Sequence, residues 1–416
     1  MEKIVRGQWT EQQILDRLLC RDGASEIKFR CDILRAGAKR GEIRPKQGST
    51  VTMDADADIM RTGRIILPWT TDIDWLKDEL NPIMMLRMED AYTVSSFVFA
   101  TWNQRDALKW TWDQWDAKGY TWDQWDAGQV DDVNTVPQYA EFSLGVLIPS
   151  TPRYNNDGGV KTWEVEAYDR TVILMEDSLT EPLYVAEGTK YLDVVADVLV
   201  SAGITDVLLT EYVTTEVPAD REFEIGKKKL DIINALLEEI NFNKVYCDAA
   251  GSVVISAYRT PSAAAIDFKY AKGALSVISQ NIASETDLYG VPNVFIGVCS
   301  NFDLDQDYTS VYVNDNPISR LSTVQRGRRI VSEIFQLDQV ASQEDLDAAV
   351  VKIAFEANQV SEEIVFSTAL MPFHGYRDTL DIDHSDIQGT FVEHSWEIPL
   401  EAGEKMTHTA RRLVIA

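Results

Sequence analysis

The chain has 416 residues, 45% of them hydrophobic and 25% charged, which excludes wholesale disorder and gives room for about three domains. Its 39 basic against 67 acidic residues leave a formal net charge of −28, a field that repels phosphate backbones and disfavours stable nucleic-acid binding. No apolar run approaches the roughly 18 residues of a membrane helix, and the first residues lack the apolar stretch of a secretory signal, so the expectation is a soluble protein made in a cytoplasm. Residues 1–24 read as a helical arm: Thr10 stands where an N-cap belongs, Gln13 completes a capping box, and Ile14, Leu15, Leu18 and Leu19 form one apolar stripe. From residue 25 to about 182 the chain alternates like strands separated by Gly-rich turns. Within it Asn156-Asp157-Gly158-Gly159 is a hairpin-turn signal, and residues 161–176 read as a strand pair or one long bent strand.

Between 183 and 262 the character changes. Leu192, Val195, Val198 and Leu199 keep helical spacing until Gly203, and Leu230, Ile233, Leu237 and Ile240 do the same in a second helix. Two short strands around Ala250-Gly251 complete a compact α+β module. Strands return over residues 263–416, interrupted by one helix for which Ser342, Glu344 and Asp345 supply the cap and the acidic first turn. The fold class expected is thus α+β but mainly β, with two β domains flanking the module.

Six of the 11 tryptophans fall between residues 102 and 125, in a ten-residue unit repeated as TWNQRDALKW, TWDQWDAKGY and TWDQWDAGQV over residues 101–130. Thr111 and Thr121 stand as N-caps with Gln114 and Gln124 three residues on, and Trp110 and Tyr120 face Trp115 and Trp125 as hydrophobic staples. Each unit is expected to be one or two helical turns inside an insertion. Two readings stay open: Trp110, Trp112, Trp115, Tyr120, Trp122 and Trp125 form a contact surface for a glycan or a protein partner, or they pack on each other and on the neighbouring strands.

Chemistry-bearing patterns are sparse. Asp54, Asp56 and Asp58 start like an EF-hand loop, but Ile59 and Ile65 replace the required Gly and Glu. Asp303, Asp305 and Asp307 fail alike, and the Asp54 segment is expected to be a strand with its acidic face in solvent. His374, His384, His394 and His408 all lie late in the chain; Asp381, Asp383 and His384 read as a half-buried strand entering a turn rather than a metal site. The four cysteines form no CxxC pair and are expected to be free and mostly buried. No GxSxG, HExxH, P-loop or GxGxxG occurs, so neither an enzyme, a cofactor nor a metal is expected. Arg326, Arg328 and Arg329 are the one basic spot, a candidate interface with acidic neighbours or a solvated loop.

The order of elements resembles one known group. AYDRTVILMEDSL (167–179) is followed by EGTKYLDVVADVLVSAGI (187–204) and by a helix with Gly226, Leu230, Ile233, Asn234, Leu236 and Leu237 before an Asp248–Gly251 hairpin; SDIQGTFVEHSWEIPLEAGEKMTHTARRL (385–413) follows late in the chain. This pattern is similar to the baseplate or tail-tip hub proteins of tailed bacteriophages and phage-tail-like particles, with the Trp repeat as an added insertion. The resemblance implies two tube-protein-like β-barrels, at 25–182 and 263–416, and a homotrimer whose six barrels form a ring. Such a ring joins a six-fold tail tube to a three-fold spike or tip in the virion and forms part of the DNA or effector channel. It implies tail tube protein, spike or tip protein and possibly tape-measure protein as partners. The alternative from another class is a tail-associated protein that binds or hydrolyses cell-wall glycan.

Overall fold

The computed structural model describes residues 4–21, 25–94, 111, 113–114, 133–262, 265–273, 276–285, 291–300, 307–337, 340, 342–359 and 362–413. The six aromatic positions singled out in the Trp repeat lie outside the described residues. Within the repeat, the Thr111 backbone N–H donates to Gln114 Oε1 at 2.8 Å, as a capping box requires.

The chain divides into two compact units, one of Ile4–Ile27 with Met85–Glu141 and the other of Lys28–Met84 with Phe142–Ala416. In the smaller unit, helix α1 (Glu11–Leu18) starts at Thr10, whose hydroxyl and backbone N–H both bond to Gln13, and it buries Ile14 and Leu18. Arg87 donates to the Glu26 carboxylate at 2.6 Å, and its backbone N–H bonds the Glu26 carbonyl.

The larger unit is mainly β. Its strands β1 (Ile27–Arg35) and β2 (Ala38–Ile43) form an antiparallel hairpin. Then come β3 (Thr50–Asp54), β4 (Arg61–Pro68), β5 (Glu79–Val94) and β6 (Val133–Ser143), the last two shared with the smaller unit. β7 (Ile148–Asp157) and β8 (Val160–Tyr168) pair across Gly158 and Gly159, both at positive φ, so the expected hairpin turn forms. Residues 161–176 are not one bent strand. The Asp169 carboxylate accepts the Thr171 backbone N–H at 2.9 Å and turns the chain into helix α2 (Thr171–Glu176).

The α+β module follows as β9 (Leu183–Val185), α3 (Tyr191–Ser201), β10 (Val207–Leu209), β11 (Arg221–Phe223), α4 (Lys229–Glu239), β12 (Tyr246–Cys247) and β13 (Val253–Ile255). All the apolar positions read from the sequence as helical, from Leu192 to Ile240, join one buried cluster with Phe223, Val253 and Ile255. Gly203, at φ +80°, ends α3.

The remaining elements are β14 (Phe268–Tyr270), β15 (Ile278–Glu285), β16 (Val294–Cys299), β17 (Tyr308–Val313), α5 (Thr323–Arg326), β18 (Val331–Gln336), α6 (Gln343–Gln359), β19 (Glu363–Thr368), β20 (Thr379–Asp383), β21 (Gln388–Pro399) and β22 (Met406–Arg412). Ser342 caps α6 by accepting the Asp345 N–H at 3.2 Å. A ten-stranded sheet runs β15-β19-β22-β21-β3-β4-β8-β7, with β20 and β14 branching from β21. Trp396 of β21 opposes Met53 of β3, so early and late β segments share one sheet. Of the two tube-protein-like β-barrels implied at 25–182 and 263–416, neither forms a closed barrel among the described residues: β3 of the first stretch and β21 of the second pair in one sheet. Asp54 is the exposed last residue of β3, and Asp56 and Asp58 lie exposed beyond it, Asp56 in the turn beside His394 and Arg411, so the acidic residues face solvent but not from one strand.

Candidate assembly face and buried histidine cluster

β17, β16 and β18 form a separate three-stranded sheet, antiparallel on one side and parallel on the other. Helix α6 covers one face. Phe295, Gly297 and Cys299 alternate toward it, joined by Tyr308, Tyr312 and Phe335 from the flanking strands. Gly297 is required there, because a Cβ would collide with Val350. Strand periodicity turns the alternate residues away from α6, although Val294, where β16 begins, is fully buried. Val311, Ile296 and Ile334 form a row across the sheet, with Val313 and Val331 beside it. Val311 is 55% exposed and Ile334 64%, a contiguous apolar face of the kind that marks a protein contact.

The loop between β17 and β18 carries the three arginines. Buried Asn293 holds it by donating to the carbonyls of Leu321 and Arg328 at 3.2 and 3.0 Å and accepting the Ile330 N–H at 2.8 Å. Arg326 donates to the Val291 carbonyl at 2.9 Å, and burial together with the Arg328 charge lowers its pKa. Arg328 and Arg329 are exposed, and neither has a salt-bridge partner among the described residues. Ile318, 85% exposed, and Val324 stand in the same loop, so charge and apolar surface lie close in sequence here.

A second feature was not read from the sequence. His374, Glu393 and His408 are fully buried, with one potential ligand atom of each within 4.8 Å of the others. Their spacing in sequence gives no signal, because His374 lies in the loop between β19 and β20 while the other two lie on β21 and β22. A register shift in β21 between Glu393 and Ser395 turns the Glu393 carboxylate into the core. The available hint was a carboxylate inside the apolar run TFVEHSWEI. Glu393 Oε1 lies 2.5 Å from His408 Nδ1, and Oε2 lies 2.8 Å from His374 Nδ1. The outer nitrogens meet hydroxyls: His374 Nε2 is 2.7 Å from Tyr270 Oη and His408 Nε2 is 2.8 Å from Thr368 Oγ1. Burial pushes the Glu393 carboxyl up, but the two histidines outweigh it and bring its pKa to about 2. Burial lowers His408; for His374, the Glu393 charge overcomes burial and raises it. Asp381 and Asp383 pair instead with Lys269 and Lys272 at the surface, at 2.7 and 3.2 Å.

The described residues form a mainly β chain with a central α+β module. Solved structures share this architecture. The tail protein from Neisseria meningitidis MC58 superposes with a TM-score of 0.60 at 10% identity, over 92% of this chain and 97% of that one. The 43 kDa tail protein of prophage MuSo2 from Shewanella oneidensis superposes with a TM-score of 0.54 at 9% identity, over 92% and 98%. The chain therefore has the phage tail-protein fold along nearly its whole length. No protein-family profile matches the sequence, and none of the curated proteins matches it.

Proposed function

We propose that this chain is a structural component of a phage tail tip or baseplate, and more specifically a homotrimeric hub in the virion. The observation that carries the reading is the near end-to-end match, in both directions, to two tail proteins. In this reading three copies present the β-rich parts of residues 25–182 and 263–416 as a six-part ring. Tail tube protein docks on one side and a spike or tip protein on the other, with tape-measure protein as a further contact. The net charge of −28 suits a channel wall that must let DNA pass without holding it. The role is architectural rather than catalytic, and the apolar row Val311, Ile296 and Ile334 supplies the uncharged surface that such an acidic subunit needs for contact. Mass measurement and negative-stain imaging of the purified chain, alone and with tail tube protein, test this. A ring of three subunits is expected; a stable dimer under both conditions overturns it.

A further inference from the structure

The side chains around His408 and His374 leave buried polar atoms unmatched. Thr368 has a single hydroxyl proton and two close neighbours, the Ala369 carbonyl at 2.7 Å and His408 Nε2 at 2.8 Å. With that proton on Ala369, His408 donates its Nε2–H to Thr368 Oγ1, and Tyr270 stands beside the same hydroxyl as a further neighbour. His408 Nδ1 faces Glu393 Oε1 at 2.5 Å, a hydrogen bond when that nitrogen carries a proton. Opposite it, His374 Nδ1 and Glu393 Oε2 are buried and, although 2.8 Å apart, lie too obliquely to hydrogen-bond; neither has another hydrogen-bond partner, and the Asp378 carboxylate stands 3.8 Å from the same nitrogen. Two imidazole nitrogens and a carboxylate thus converge in the core, with His374 Nδ1 and Glu393 Oε2 left without a hydrogen bond, an arrangement that a shared cation would satisfy.

We propose that His374, Glu393 and His408 bind one zinc ion through the two Nδ1 atoms and the carboxylate. Two imidazoles and a carboxylate are an established zinc donor set, and hydroxyl partners on both outer nitrogens orient the rings as such sites require. Bonds of about 2.0–2.2 Å at tetrahedral angles put donors roughly 3.3 Å apart, so loading needs the Glu393 carboxylate to draw back and the two rings, whose ligand atoms lie within 4.8 Å, to close on the ion. The loop bearing His374 is already braced for this: Asp378 accepts the Gly375 N–H at 2.9 Å, and the Asp378 carbonyl accepts the Glu393 N–H at 2.8 Å. The ion would staple that loop to the β21–β22 pair.

The test uses the full chain without a histidine tag, stripped with chelator, reloaded with zinc chloride and desalted. Elemental analysis is expected to give about one zinc per chain and the melting temperature to rise by at least about 5 °C. Cobalt in place of zinc is expected to give visible absorption bands. His374→Ala, His408→Ala and Glu393→Gln should each abolish loading, while His384→Ala should not. Because core variants can misfold, histidine ¹⁵N spectra of the unmutated chain give a second readout, in which zinc should shift the Nδ1 signals of His374 and His408 but not those of His384. Less than about 0.1 zinc per unmutated chain, or unchanged His374 and His408 signals, overturns the proposal.

Discussion

The guanidinium of Arg170 donates to the carbonyl of Gly251 at 3.0 Å while its other two nitrogens grip both oxygens of Glu79 at 2.8 and 2.9 Å. Arg170 directly follows β8, and Gly251 is the turn of the β12–β13 hairpin. One side chain therefore ties the sheet to the α+β module. Gly251 has φ +87°, and a Cβ there would lie 2.7 Å from the Val146 Cβ, so only glycine brings the turn this close. The Ser143 hydroxyl reinforces the contact by donating to the Ala249 carbonyl at 2.5 Å.

Arg170→Ala should destabilise the larger unit by about 2–4 kcal/mol, because it strands the half-buried Glu79 carboxylate and unties the turn. Gly251→Ala should cost about 1–3 kcal/mol through strain and overlap. Urea unfolding followed by fluorescence measures both, and midpoints equal to that of the unmodified chain would contradict the tie.

Val311→Asp and Ile334→Asp place charge on the exposed sheet face. Each should change monomer stability by less than about 1 kcal/mol, since neither residue is in a core, yet impair assembly. Sedimentation against tail tube protein, paired with a melting curve, separates the two effects.

The Asp56 carboxyl is held well below its ordinary pKa by its hydrogen bond to His394 at 3.1 Å, against an opposing push from burial, with further help from Arg411 at 2.9 Å. Its folded pKa lies below the unfolded value of about 3.9, so its stabilisation is complete above that value and is lost as pH falls through the folded pKa. Asp56→Asn should therefore lower the melting temperature at pH 7, with the gap to the unmodified chain closing below about pH 4. Melting curves from pH 7 to pH 3 check this; a gap that stays constant with pH would rule the carboxylate out.

Of the four cysteines, Cys20 is exposed while Cys31, Cys247 and Cys299 are buried. Burial pushes the Cys31 thiol up to about 12 and raises Cys247 as well. A thiol reagent at pH 8 should label one cysteine per folded chain within minutes and all four after denaturation. Mass spectrometry of the labelled peptides identifies the site.

The elements with the clearest legibility were those whose signals are local. Thr10 and Gln13 cap α1 as their spacing predicts, and Leu192 to Leu199 face the module core because helical periodicity needs no distant partner. Gly158 and Gly159 turn their hairpin for the same reason. The misreading at 171–176 came from Thr171, Val172 and Ile173, β-branched residues that favour a strand, overruled by the Asp169 side chain. The pairing of β21 with β3 left no trace in the sequence, because register between distant strands is set by tertiary packing. The histidine cluster was hidden likewise: His374 and Glu393 become neighbours only after β20 and β21 pair, Thr379 to Val392.

The β3–β21 seam also constrains how the chain is born. Asp56 and Arg411, 355 residues apart, are ion-paired beside it. During synthesis β3 leaves the ribosome long before its neighbour exists and waits with an unpaired edge through most of translation. Any prematurely terminated chain keeps that edge open and is a template for aggregation, so quality control at the ribosome bears directly on the yield of folded chain.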